Sequence, residues 1–324
     1  MTTIESTLPF STGLNVNGLE TDAYTATDAE SITYYLSQAS TFSDIKAKGF
    51  DFVRLPVDLR KYYDAASKKL LTSGDYNVAN IDGVIKRATD AGLYVILVLY
   101  GWSDINPADS TQAATFKGLW KALAERYKNG SDKLGFELLN KPAFKEEELI
   151  KSLNALQNAV IAEIRKASPD RWIFYAVGDS SQAWFLTEMD GVTRPDPPKG
   201  DKHVSVSVQL FKPEKFVRQT EPEEGKQPVR IYDTSLSGFN WDVRKIGDYD
   251  LNYGFPGFLS ECAVSRYAVS ADVRDYMGLL LEQCVQYGVP MCYWSYCDTT
   301  TDFLPARNGW NGEWNASLLT GLAL

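Results

Sequence analysis

Nine side chains stand at or just past the ends of apolar runs, where packing alone does not call for them. Arg54 lies in VRLPV. Tyr100 and Trp102 close YVILVLYGW. Asn140 and Lys141 close LGFELLNK, and Gln209 and Phe211 close HVSVSVQLF. Glu261 lies in FPGFLSEC and Trp294 in PMCYWSYC. Together they offer a carboxylate, a guanidinium, an amine, two amides and four aromatic rings. The carboxylate of Glu261 can contact a ligand or sit as the buried counter-charge of Arg54 or Lys141. A lysine amine can form a Schiff base with a carbonyl, but nothing in the flanks of Lys141 supports that chemistry. Flat aromatic faces suit stacking on sugar rings, and core packing equally well.

The runs that carry these residues number eight: 13–18, 50–57, 94–101, 134–140, 172–179, 203–211, 255–262 and 290–297. Most are almost continuously apolar, as parallel strands buried on both faces must be. Amphipathic stretches separate them, most clearly NIDGVIKRATDAG, TQAATFKGLWKALAERYKNG, KEEELIKSLNALQNAVIAEIRKAS and SADVRDYMGLLLEQCVQYG. Three of these end at glycines (Gly92, Gly130, Gly288), the expected C-cap residue. Strands recurring roughly every 40 residues predict βα units. The predicted architecture is an α/β fold, a single (β/α)8 barrel over residues 1–324. Its ligand site falls at the C-terminal ends of the strands.

A net charge of −9 argues against nucleic acid, whose phosphates need a basic stripe, and disfavours an anionic membrane surface. No stretch approaches the roughly 20 apolar residues of a membrane span. With His203 as the single histidine, a His-based metal site is excluded. No metal and no cofactor are expected. Cys262, Cys284, Cys292 and Cys297 read as buried free thiols rather than two disulfides. The opening MTTIESTLPFST has neither the basic nor the apolar region of a signal peptide.

The ordered segments GFDFVRLPV, AGLYVILVLYGWSDINP, GFELLNKP, VQLFKPEKF, GFLSEC and YWSYCDTTTDF resemble glycoside hydrolase family 5, the cellulase and mannanase group of retaining β-glycosidases. The resemblance covers essentially the whole chain. It implies a β-linked oligo- or polysaccharide as ligand, an extracellular home and a monomer. It implies two working carboxyl groups, a nucleophilic Glu ending strand seven and an acid/base Glu in an Asn-Glu-Pro motif after strand four. Glu261 matches the nucleophile, Arg54 the arginine that orients it, Asn140 the contact to the sugar 2-hydroxyl, and Trp294 the platform under the reacting sugar.

Four of the eight positions depart from that pattern. Lys141 replaces the acid/base Glu. Tyr100 and Gln209 replace two histidines, and Phe211 replaces a tyrosine. A lysine ordinarily titrates near about 10.4, too high for efficient proton donation at neutral pH. Lys141 is expected close to Glu261, the two forming an ion pair that also ties up the nucleophile. Glu137, on the face of Lys141 by period two, is expected deep in the barrel as a structural residue. Trp102 is expected either to stack a distal sugar or to pack. The chain is therefore expected to bind β-glycan with little or no hydrolysis. The alternative is an active retaining endo-β-glycanase with Glu261 as nucleophile and an unusual or absent general acid.

Overall fold

The computed structural model describes residues 5–19, 34–38, 40–187, 194–235, 237–298, 300–310 and 312–324. Eight parallel strands close into one barrel: β1 (Thr12–Asn15), β2 (Phe52–Val57), β3 (Tyr94–Leu99), β4 (Leu134–Glu137), β5 (Ile173–Ala176), β6 (Val204–Leu210), β7 (Gly257–Cys262) and β8 (Met291–Tyr293). Each pairs with its sequence neighbours, and β1 closes the ring on β8. Every strand residue is buried. All eight predicted strands are present. The observed strands stop short of several predicted ends, because the chain leaves the barrel there to build the upper face.

Helices α1 (Thr41–Ala47), α2 (Val78–Asp90), α3 (Ser110–Arg126), α4 (Glu147–Ala167), α5 (Ser237–Tyr253), α6 (Ser270–Tyr287) and α7 (Ala316–Gly321) surround the barrel. Their starts are written in the sequence. Asn77 and Asp109 cap α2 and α3 by accepting backbone N–H groups, from Ala79 and from Thr111 and Gln112. Gly288 closes α6 in the left-handed conformation, as predicted. Gly130 plays no such part: α3 is capped earlier, at Tyr127. No helix among the described residues is long and apolar enough to cross a membrane.

Period-two alternation sorts the strand side chains into two cores. On β3, Val95, Leu97 and Leu99 face the helices, while Tyr94, Ile96 and Val98 face the barrel axis. Phe52, Phe174, Phe258 and Cys292 join the axial set. Gly13 makes room for it, since a Cβ there would lie 2.3 Å from the Phe52 ring. The lower end is plugged from outside the strands. Phe10 sits 4.2 Å from Phe52, 5.1 Å from Tyr94, 6.0 Å from Phe174 and 6.2 Å from Phe258, ring centre to ring centre. Packed on four rings from four strands, Phe10 fills the barrel base as a fifth aromatic ring. Phe10→Ala is expected to lower stability by about 3–5 kcal/mol, the usual cost of emptying a buried phenylalanine site. Chemical denaturation of both chains measures it, and a loss under about 1 kcal/mol would show that the base repacks without the ring.

Candidate functional site

Arg54 is where the upper barrel begins. It follows Phe52 by two residues on β2, so alternation turns it inward, and its side chain is fully buried. A buried guanidinium must satisfy five N–H donors, and all five are satisfied. Nε and Nη2 hold Glu137 in a fork at 2.7 and 2.9 Å. Nη2 also donates to Asn140 Oδ1 at 2.8 Å. Nη1 donates to Asn15 Oδ1 and to Glu261 Oε1, both at 2.9 Å. Burial alone pushes the guanidinium pKa down, but Glu137 and then Glu261 outweigh it and hold Arg54 above its ordinary value.

Two departures from regular strand geometry bring the partners in. Counting by twos from the axial Phe258 would turn Glu261 toward the helices. The β6–β7 register shifts between Val208 and Gln209, so that Val208 faces Leu259 while Gln209 faces Glu261. This bulge at Ser260 re-aims Glu261 onto Arg54. Ser260 is held on both sides, donating its hydroxyl to Val208 O (3.1 Å) and accepting Asn15 Nδ2 on its carbonyl (2.9 Å). On the fourth run the strand ends at Glu137, and Leu138 and Leu139 both join the helix-facing core. Asn140 then turns back inward to Arg54. The period-two expectation that Glu137 and Lys141 share a face is thus corrected, because the strand stops between them.

The expected Lys141–Glu261 ion pair is also corrected. Glu261 pairs with Arg54. Lys141 is half-buried and has no ion pair or hydrogen bond through its ammonium among the described residues. Its backbone carries φ +34°, left-handed, directly after the anchored Asn140. The loop around it is pinned: Asn140 N donates to Leu99 O (2.8 Å), Ala143 N to Ser103 O (2.8 Å) and Ser180 N to Pro142 O (2.8 Å).

The other sequence-selected residues sort by contact. Gln209 Nε2 donates to Asn140 Oδ1 at 3.0 Å, which places Gln209 in the Arg54 cluster. Asn140 Oδ1 therefore accepts twice, and its Nδ2 carries no hydrogen bond among the described residues. Glu261 Oε2 is likewise without one. The Tyr100 and Trp294 rings lie 17° from parallel with centres 6.4 Å apart. Phe211 stacks on Phe303 at 5.4 Å, and the Arg218 guanidinium lies 4.5 Å from the Phe211 ring centre. Trp102 stands apart: it is buried against Phe116, with Arg60 over its ring at 5.3 Å. These are packing contacts.

Sequence reasoning passed over Asn15, Ser207 and Phe303. Asn15 ends β1 as a buried polar residue, so the criterion that selected Asn140 would have selected it too. Ser207 donates to Glu137 Oε1 at 2.7 Å, completing the acceptor set of that carboxylate. Phe303 follows β8 in irregular chain, and no periodicity marks it. The four cysteines are buried and free of disulfides. Among the described residues, no group of three or more His, Cys, Asp or Glu side chains could hold a metal ion.

Comparison with known proteins places this geometry. Over its full length the barrel has the fold of the Clostridial cellulose synthase subunit Z of Clostridioides difficile (TM-score 0.78, 22% identity, 97% of this chain and 99% of that one). Cel5A of Thermotoga maritima in complex with cellobiose is equally similar in fold (TM-score 0.78, 19% identity, 97% of each chain). A xyloglucan-specific endo-beta-1,4-glucanase of Bacteroides ovatus is 35% identical over 102 residues, 29% of this chain and 20% of that protein. Endoglucanase H of Acetivibrio thermocellus is 23% identical over 264 residues, 78% of this chain and 26% of that protein. The matched stretches thus take up about a quarter or less of these relatives' own length. A family model described as cellulase (glycosyl hydrolase family 5) matches residues 8–300, from the edge of the aromatic plug to the loop after β8, and on that match the chain belongs to glycosyl hydrolase family 5.

Proposed function

We propose that this chain binds a β-linked glycan at the upper end of the barrel and does not cleave it at the rates of an active glycosidase. Lys141 carries the reading. Retaining cleavage needs two carboxyl groups about 5–5.5 Å apart, one to attack and one to protonate the leaving oxygen. Glu261 supplies the first. The second position holds an ammonium, and Glu137 does not replace it, since both its oxygens are committed to Arg54 and Ser207. Loss of general acid–base catalysis alone costs roughly 10²- to 10⁴-fold in rate.

The binding half rests on what remains. Asn140 Nδ2 and Glu261 Oε2 offer a donor and an acceptor to sugar hydroxyls. Trp294, Tyr100 and Phe211 supply flat apolar faces near them. Relatives named as endoglucanases, and a fold neighbour solved with cellobiose, favour a β-1,4-glucan as the ligand class.

One observation favours a second reading, an active retaining enzyme without a proper acid. Glu261 is oriented by Arg54 through one oxygen only, and the other is uncommitted. A substrate whose leaving group needs no protonation could then be attacked. An activated 2-fluoro-glycoside separates the readings. Under the first, the mass of the chain is unchanged after long incubation. A glycosyl adduct on the peptide containing Glu261 would establish the second.

The direct test compares the chain with its Lys141→Glu variant on soluble β-glucans, mannans and xylans, with binding followed on affinity gels. The unmodified chain is expected to be retarded by one glycan and to release no reducing sugar. The variant is expected to gain activity, short of the full 10²- to 10⁴-fold that a positioned acid supplies, because Tyr100, Gln209 and Phe211 still differ. Turnover by the unmodified chain at ordinary glycosidase rates would overturn the proposal.

A further inference from the structure

We propose that Lys141 makes the site selective for β-glycans that carry a carboxylate, meaning uronate-bearing chains, over their neutral counterparts. This deepens the glycan-binding reading and rests on it. A carboxylate exchanged for an ammonium moves the formal charge at this position by two. The cation so created is not consumed internally: Lys141 has no ion pair or hydrogen bond through its ammonium among the described residues, and it is only half-buried. Three other cations at this end of the barrel are engaged. Arg54 is fully bonded, Arg60 is forked onto Asp58, and Lys212 holds Asp242 at 2.7 Å. Arg218 has no ion pair among the described residues, but it shares its loop with Glu221 and Glu223.

The backbone carrying Lys141 is fixed by three hydrogen bonds from neighbouring segments, so little is lost in ordering it when a ligand arrives. The net charge of the whole chain is −9, so the field of the protein does not attract anionic polymers in general. Preference for a uronate must then come from a local contact. Glu261 limits where that contact lies. A second carboxylate beside Glu261 Oε2 would be repelled, so the sugar at Glu261 is neutral and the uronate is the residue that reaches Lys141. The ligand class is a mixed chain of neutral and uronate sugars, not a polyuronate.

The test measures affinity by calorimetry for cellotetraose and for cellotetraose oxidised at C6 of a single residue, which differ only in the carboxylate. The oxidised oligosaccharide is expected to bind about tenfold tighter or more at low salt. The advantage is expected to collapse in 1 M NaCl, where the screening length is about 3 Å. It is expected to vanish in Lys141→Met and to survive in Lys141→Arg, and the salt titration of the unmodified chain reads the same interaction if a variant misfolds. Equal affinities, or a preference that persists in Lys141→Met, would overturn the inference and leave glycan binding standing. Binding of neither oligosaccharide would remove the glucan-binding reading and this one with it.

Discussion

The upper half of the barrel depends on keeping one guanidinium dry. Arg54 has no contact with solvent, and each of its five N–H groups would cost free energy if left without an acceptor. The acceptors come from β1 (Asn15), the end of β4 (Glu137, then Asn140) and β7 (Glu261). Four segments far apart in the chain are thereby fixed around one point. Removing one partner of a buried ion pair typically costs about 3–5 kcal/mol, because the remaining charge is left without compensation. Two carboxylates on one guanidinium leave one formal negative charge in the cluster, and one oxygen of Glu261 is the part of it that no hydrogen bond engages.

This constraint changes what the presence of Glu261 means. In an active enzyme a carboxylate at the end of β7 serves attack. Here the same carboxylate is also an acceptor that Arg54 requires, so folding alone is a reason to hold it. Glu261 is therefore weaker grounds for catalysis than its position suggests, and the decision passes to residues the buried cluster does not need. Lys141 and Phe211 are such residues, and the proposed function turns on them. Gln209 lies between the two groups. The proposed function counts it among the altered residues, yet it is bonded to Asn140 and so belongs to the buried cluster.

The barrel was legible because parallel strands covered on both faces must be apolar throughout, and the eight runs show little else. The helix starts at Asn77 and Asp109 and the stop at Gly288 were legible because capping has its own residue chemistry. Strand ends and side-chain facing were less so. Alternation assumes an unbroken pleat, and the site is built where the pleat breaks: at the Ser260 bulge and at the paired helix-facing Leu138 and Leu139. The same cause explains the misplaced ion pair. The ends of β4 and β7 bring Lys141 and Glu261 to one end of the barrel from strands that are not paired, but the backbone at Lys141 turns left-handed and Glu261 pairs with Arg54 instead. Asn15 was within reach of the criterion used for Asn140. Phe303 was not, because irregular chain carries no period.

A catalytic site must stabilise the transition state more than the substrate, and uniform binding adds nothing to the chemical step. On the proposed reading this arrangement serves uniform binding. Asn140 and Gln209 are mutually bonded amides, fixed before any ligand arrives. The Tyr100–Trp294 and Phe211–Phe303 pairs add stacked aromatic surface but no group that can deliver a proton to a leaving oxygen. Under that reading, the ammonium of Lys141 favours anions already present in the ground state. A lysine amine ordinarily holds its proton too tightly to deliver it efficiently to a departing oxygen at neutral pH, where a carboxylic acid with a raised pKa does so. Under the proposed function, an amine where the family carries a carboxylic acid removes the group that distinguishes transition state from substrate and supplies one that distinguishes an acidic glycan from a neutral one.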